Sequence, residues 1–69
     1  MIFLILTDSD DKKTYVELHA IQAFGALTHG SWIALQCGER ISVKETPDVI
    51  GEMILKVHDN TLKQSNSNL

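Results

Sequence analysis

The chain has 69 residues, of which 43% are hydrophobic and 22% charged, and its formal net charge is −3. This composition is that of an ordinary globular domain and argues against wholesale disorder, while the length allows one domain with a small core. The six basic residues are scattered along an acidic chain, so we expect no nucleic-acid partner.

The N-terminal residues bear on localisation. Residues 1–6 are apolar, but they lack a basic segment before them and are soon followed by Asp8, so they do not fit a signal peptide or a membrane span. The lone Cys37 cannot form an intramolecular disulfide and is expected to be a small buried residue. We therefore expect a cytoplasmic protein without membrane insertion.

Two strands are predicted in the first part of the chain. Residues 2–6 form an apolar run that ends at a polar cluster, and residues 15–19 alternate between apolar and polar side chains. Because the connection between them is short, the two strands are expected to pair as an antiparallel hairpin.

The middle of the chain is ambiguous and is followed by a second hairpin. Apolar residues between positions 20 and 28 repeat at helical spacing, so a short helix competes with a strand, which we predict over residues 24–28. Residues 32–37 and 40–44 both alternate and are separated by Gly38, a residue suited to a tight turn. They form the clearest predicted hairpin.

A helix is predicted from Thr46, which can cap the free amides, with Pro47 in the first helical position. Its apolar stripe contains Val49, Ile50, Met53, Ile54 and Val57. We expect the helix to end near residues 58–60 and residues 59–69 to form a flexible polar tail.

The predicted fold class is α+β: a small antiparallel sheet of four to five strands, built from hairpins, followed by one C-terminal amphipathic helix packed on it, within a single domain of residues 1–58. Strand one carries apolar side chains on both faces, with Phe3 and Ile5 opposite Leu4 and Leu6. Since one helix covers one face, the other face is covered either by strand three, closing a roll, or by a second copy.

No catalytic, cofactor-binding or metal-binding residues are predicted. Asp8, Asp10 and Asp11 lack the glycine and later glutamate of a calcium loop, and we interpret them as a solvated turn. The three histidines and Cys37 are not paired at ligand spacing. Catalysis or ligand binding by Cys37 with a histidine is the least favoured hypothesis.

The sequence contains apolar and aromatic side chains beyond those that one helix can cover. The leading hypothesis is a small non-enzymatic protein-interaction or accessory module that forms a homodimer or binds a protein partner through a sheet face, with Trp32, Tyr15 and Phe24 as contacts. The alternative is a phage-type inhibitor that binds a host protein through the acidic surface of Asp8, Asp10 and Asp11.

Residues 31–50 read SWIALQCGERISVKETPDVI, a strand-glycine-strand hairpin that leads through Val43-Lys44-Glu45-Thr46 into the helix. Together with the apolar first strand, this order resembles the small bacterial FlbD/SwrD flagellar-motility family over residues 1–56. Phage-encoded small proteins share the same plan. The resemblance implies a non-enzymatic accessory function and transfers no catalytic residues.

Overall fold

A computed structural model of the chain describes the backbone of residues 1–67 and the side chains of residues 1–58. The predicted α+β class is confirmed, with five strands followed by one C-terminal helix. The strands form two antiparallel sheets, β1-β2 and β3-β4-β5. The elements are β1 (Phe3–Thr7), β2 (Lys13–Glu17), a 3₁₀ helix (Leu18–Ala20), β3 (Ile21–Ala26), β4 (Ser31–Leu35), β5 (Arg40–Val43) and α1 (Pro47–Ser67).

The first predicted hairpin is confirmed, with Ile5 of β1 opposite Tyr15 of β2. Strand β2 ends at Glu17, two residues before the predicted end. The Glu17 carboxylate accepts a hydrogen bond from the backbone N–H of His19 at 3.1 Å and so caps the 3₁₀ helix. This local side-chain bond competes with the extended ladder and explains why the strand stops there.

The ambiguous middle segment is a strand, as predicted, but it covers residues 21–26 and not 24–28. Its start is irregular because the register with β4 shifts between Ile21 and Ala23, and this bulge breaks the alternation that identifies a strand in sequence. Its end is set by a tight turn in which the N–H of Leu27 donates to the C=O of Gly30 at 3.0 Å.

The second predicted hairpin, β4-β5, is also confirmed. Strand β4 ends at Leu35, earlier than predicted, because the chain turns between Leu35 and Glu39. Cys37 lies in that turn and is exposed, so its predicted burial is wrong. The prediction relied on alternation alone, which continues into the turn, and so placed the end of the strand too late.

The two sheets meet where β1 ends. Asp8 forms an isolated antiparallel bridge with Val43, and the N–H of Lys44 donates to the C=O of Thr7 at 2.8 Å. The carboxylate of Glu45 accepts hydrogen bonds from the backbone N–H of Thr7 at 2.8 Å and from its hydroxyl at 2.9 Å. A backbone bridge and one side chain therefore join the two sheets.

The core lies between the two sheets and the first turns of α1. Its fully or nearly fully buried apolar residues are Leu4, Leu6, Val16, Ile33, Val43 and Ile50. Met53 and Ile54 pack against this cluster, as the predicted stripe requires. Val49 is 40% exposed, so the prediction that it belongs to the buried stripe is wrong.

Helix α1 starts at Pro47 as predicted, and the Thr46 hydroxyl accepts from the N–H of Val49 at 3.4 Å. It continues to Ser67, past the predicted end near residues 58–60. The flexibility of residues 59–69 stays a prediction, and residues 68–69 lie outside the described part of the chain.

Among the described residues, the second face of β1 is only partly covered. Phe3 and Ile5 are each 50% exposed, and β3 pairs with β4 instead of folding over them. The closed-roll alternative is therefore wrong. Ile21 and Phe24 of β3 pack against the core cluster instead, and half of the Phe3 and Ile5 surface is left open to solvent.

Candidate interaction surface

The outer surface of the β1-β2 hairpin exposes three large side chains, Phe3, Ile5 and Tyr15. Its six residues, which alternate with the buried Leu4, Leu6 and Val16, are Phe3, Ile5, Thr7, Lys13, Tyr15 and Glu17. We call this surface the hairpin face. Phe3 and Ile5 are half exposed and Tyr15 is 61% exposed. A contiguous exposed apolar surface is a candidate interaction site.

Cross-strand pairing arranges the hairpin face in three rows. Ile5 and Tyr15 form the central row, which is apolar apart from the phenol hydroxyl. Thr7 pairs with Lys13 in one outer row, and Phe3 pairs with Glu17 in the other. The two outer rows therefore carry opposite charges. The hydrogen bond from the backbone N–H of His19 outweighs partial desolvation and holds the pKa of Glu17 below its ordinary value. Glu17 is therefore anionic at neutral pH.

The hairpin face continues into a shallow groove beside helix α1. The groove has a volume of about 340 Å³ and is lined by Phe3, Leu4 and Ile5 from β1 and by Met53, Lys56 and Val57 from the helix. Apolar surface thus extends from Tyr15 across β1 to the third turn of α1. A partner that covers the hairpin face also reaches this groove.

Trp32, predicted as a contact, lies on the outer face of the other sheet. Its indole covers Gly25 on the neighbouring strand, and the guanidinium carbon of Arg40 lies 5.0 Å from the ring centroid. Trp32 is only partly exposed, because its ring is held between these two residues. The indole therefore packs within the sheet and does not adjoin Tyr15.

Phe24, another predicted contact, faces the interior. It pairs with the fully buried Ile33 across the β3-β4 ladder, and directly opposite residues share a face. Phe24 packs against the core cluster and is partly buried. Of the three predicted aromatic contacts, the structure thus places only Tyr15 on the hairpin face. Phe3 and Ile5 belong there, and the two-faced apolar pattern of strand one was the signal for them.

The acidic turn is structured by its own carboxylates. One Asp8 oxygen accepts from the N–H groups of Asp10 at 2.9 Å and Lys12 at 3.0 Å. Asp11 adopts a positive φ of 64° and its carboxylate pairs with the ammonium of Lys44. Asp10 is exposed and contributes its backbone N–H to the turn. Asp8 therefore stabilises the turn, and Asp11 links it to the segment that follows β5.

A separate cleft of about 650 Å³ lies where three loops meet. It is lined by Ser9, Thr28, His29, Gly30, Ser42, Val43, Lys44 and Thr46. The ammonium group of Lys44, which lines the cleft, is paired with the carboxylate of Asp11. Among the described residues, His, Cys, Asp and Glu side chains do not form a group of three that could hold a metal ion.

No protein-family model, curated protein or solved structure matches the chain. The resemblance to the FlbD/SwrD family therefore stays an expectation based on its pattern of strands and turns. Within the part of the chain that the structure describes, no helix has the length and apolar character needed to cross a membrane.

Proposed function

We propose that the chain is a small non-enzymatic protein-interaction module that self-associates through the hairpin face. The observation that carries this proposal is the open central row with its neighbour Phe3, where three large side chains are at least half exposed side by side. An accessory role without catalysis is also what the resemblance of residues 31–50 to the flagellar-motility family implies.

The size of the patch supports a weak and reversible dimer. Three half-exposed side chains offer roughly 300 Å² on each copy, given that an aromatic side chain buries about 150–250 Å² in full. Specific interfaces of standard size bury about 800 Å² per partner, so this contact belongs to the small, transient class. A small domain that buries a limited core gains stability from such an association.

The proposal is tested by analytical ultracentrifugation of the wild type and two matched variants. Ile5→Ser removes an apolar side chain from the centre of the hairpin face, and Leu27→Ser removes one of similar exposure, 44%, from the β3-β4 turn. We expect a concentration-dependent dimer for the wild type and Leu27→Ser, and only monomer for Ile5→Ser. A wild type that stays monomeric at high micromolar concentration contradicts self-association.

A further inference from the structure

We infer that the second copy lies face to face on the hairpin face with its strands antiparallel, so that Lys13 of each copy meets Glu17 of the other. This inference rests on the proposed self-association and names the two residues that determine its geometry. It follows from the arrangement of charge on the hairpin face, which self-association alone does not specify.

The two charges flank the apolar centre symmetrically along one strand. Lys13 and Glu17 each lie two residues from Tyr15, on the same side of β2. Four residues of extended chain separate their Cα atoms by about 14 Å, at roughly 3.4 Å per residue. A half-turn about an axis through the central row, within the plane of the face and across the strands, exchanges the two positions.

Two simple two-fold arrangements place one hairpin face on another. With the axis across the strands, Lys13 faces Glu17 of the second copy, and the central rows stack on each other. With the axis along the strands, β1 faces β2, so Glu17 meets the phenyl ring of Phe3 and Lys13 meets Thr7. In the second arrangement neither Glu17 nor Lys13 faces a counter-charge within the hairpin face, and a desolvated charge without such a partner is costly. Charge complementarity therefore selects the first.

Glu17 can make this contact without giving up its local role. Its Oε2 atom accepts the hydrogen bond from the His19 N–H at 3.1 Å and lies 3.3 Å from the imidazole Nδ1. A carboxylate has two oxygens with about four lone-pair sites, so this bond leaves room for a further donor. Lys13 is exposed on its strand, and its long side chain can reach across the edge of a stacked face.

The test uses two charge-reversal variants, Lys13→Glu and Glu17→Lys, alone and mixed. In each variant alone, both inter-copy pairs become like-charge pairs, and we expect the dimer dissociation constant to rise by at least about tenfold. In the mixture, every contact is again between opposite charges. We expect a heterodimer with an affinity within about threefold of the wild type, measured by sedimentation with one variant fluorescently labelled.

Lys12→Glu is the matched control, because Lys12 is an exposed lysine in the neighbouring turn and lies off the hairpin face. It changes the net charge as Lys13→Glu does, and we expect its dissociation constant to stay within about threefold of the wild type. If Glu17→Lys loses the 3₁₀-helix cap and does not fold, Lys13→Glu against Lys12→Glu still decides the inference.

A wild type that dimerises while both reversals behave like Lys12→Glu overturns the antiparallel orientation and leaves the proposed function standing. The same charges also meet if two β2 strands pair edge to edge, but that arrangement leaves Ile5 exposed. Loss of the dimer in Ile5→Ser therefore supports face-to-face stacking, and an unchanged dimer overturns it. A monomeric wild type overturns both proposals.

Discussion

The indole ring of Trp32 occupies the space that a side chain at position 25 would fill. A Cβ atom built on Gly25 would lie 2.8 Å from Cζ2 of the ring and 2.9 Å from Nε1, closer than such atoms pack. Gly25 faces Trp32 directly across the β3-β4 ladder, and Arg40 covers the same ring. The aromatic ring replaces the missing side chain of an edge-strand glycine and shields its backbone.

Gly25→Val is expected to destabilise the protein although valine favours strands. The new Cβ forces the indole away from its site and separates it from Arg40, at a cost of about 1–3 kcal/mol for overpacking. Chemical denaturation gives the stability change. The chain contains one tryptophan, so its fluorescence should shift to the red as the ring enters water. A more stable variant would show that the ring does not need this space.

Gly51→Ala is expected to stabilise the protein by about 0.5–1 kcal/mol, because alanine has the higher helix propensity. Gly51 lies inside α1, and a Cβ atom added there meets nothing within 4 Å apart from the local backbone of its own helix. The melting temperature should rise. This variant is also the reference for Gly25→Val, because a side chain added at position 51 meets open space whereas one added at position 25 meets the Trp32 ring. An unchanged or lower melting temperature would mean that this turn of α1 needs a glycine.

Gly30→Ala is expected to be the most harmful of the glycine replacements. Gly30 has a φ of 95°, and an added Cβ would lie 2.1 Å from the backbone oxygen of Val43. Gly38 has a similar φ of 97° but open space around it, so Gly38→Ala measures backbone strain alone, about 1–2 kcal/mol. Gly30→Ala should lose at least twice that stability. Equal losses at both positions would rule out the backbone contact.

The joint between Thr7 and Glu45 predicts a specific pH dependence. Partial burial raises the pKa of Glu45, but hydrogen bonds from the N–H and hydroxyl of Thr7 outweigh it and leave the pKa below its ordinary value. The ionised carboxylate therefore contributes stability at pH above about 4.5, and this contribution is lost as pH falls through the lower folded-state pKa.

Glu45→Gln tests this dependence, because glutamine keeps the size of the side chain and cannot ionise. At pH 7 we expect it to cost about 1–2 kcal/mol, the value of hydrogen bonds to a charged group. The difference from the wild type should shrink towards zero as the pH falls to about 3. A difference that stays constant from neutral to acidic pH would show that the charge of Glu45 does not contribute.

The sequence predicted what depends on near neighbours. Alternation identified the hairpins and separated Leu4 from Phe3, and the Thr46-Pro47 pair located the start of the helix. The start of β3 was not predicted, because the bulge at Ile21 breaks the alternation by which strands are recognised. Trp32 looked like an interface residue because a lone tryptophan on an outer face gives no sign that a glycine and an arginine hold it.

The candidate surface was predicted only in part, since its openness depends on where distant elements go. The pattern of strand one showed that a second apolar face exists, but whether another element covers that face depends on how the two sheets are joined. That joint depends on Thr7 and Glu45, which are 38 positions apart. No local pattern marks such a pair.

This joint also bears on the order in which the chain folds. Every named strand pair joins neighbours in the chain, whereas the joint closes a loop of 38 residues. Local pairings form fast and distant ones late, so the sheets are expected to assemble before they dock. Contacts made after the transition state act on unfolding. Glu45→Gln should therefore unfold faster than the wild type while its refolding rate stays nearly the same.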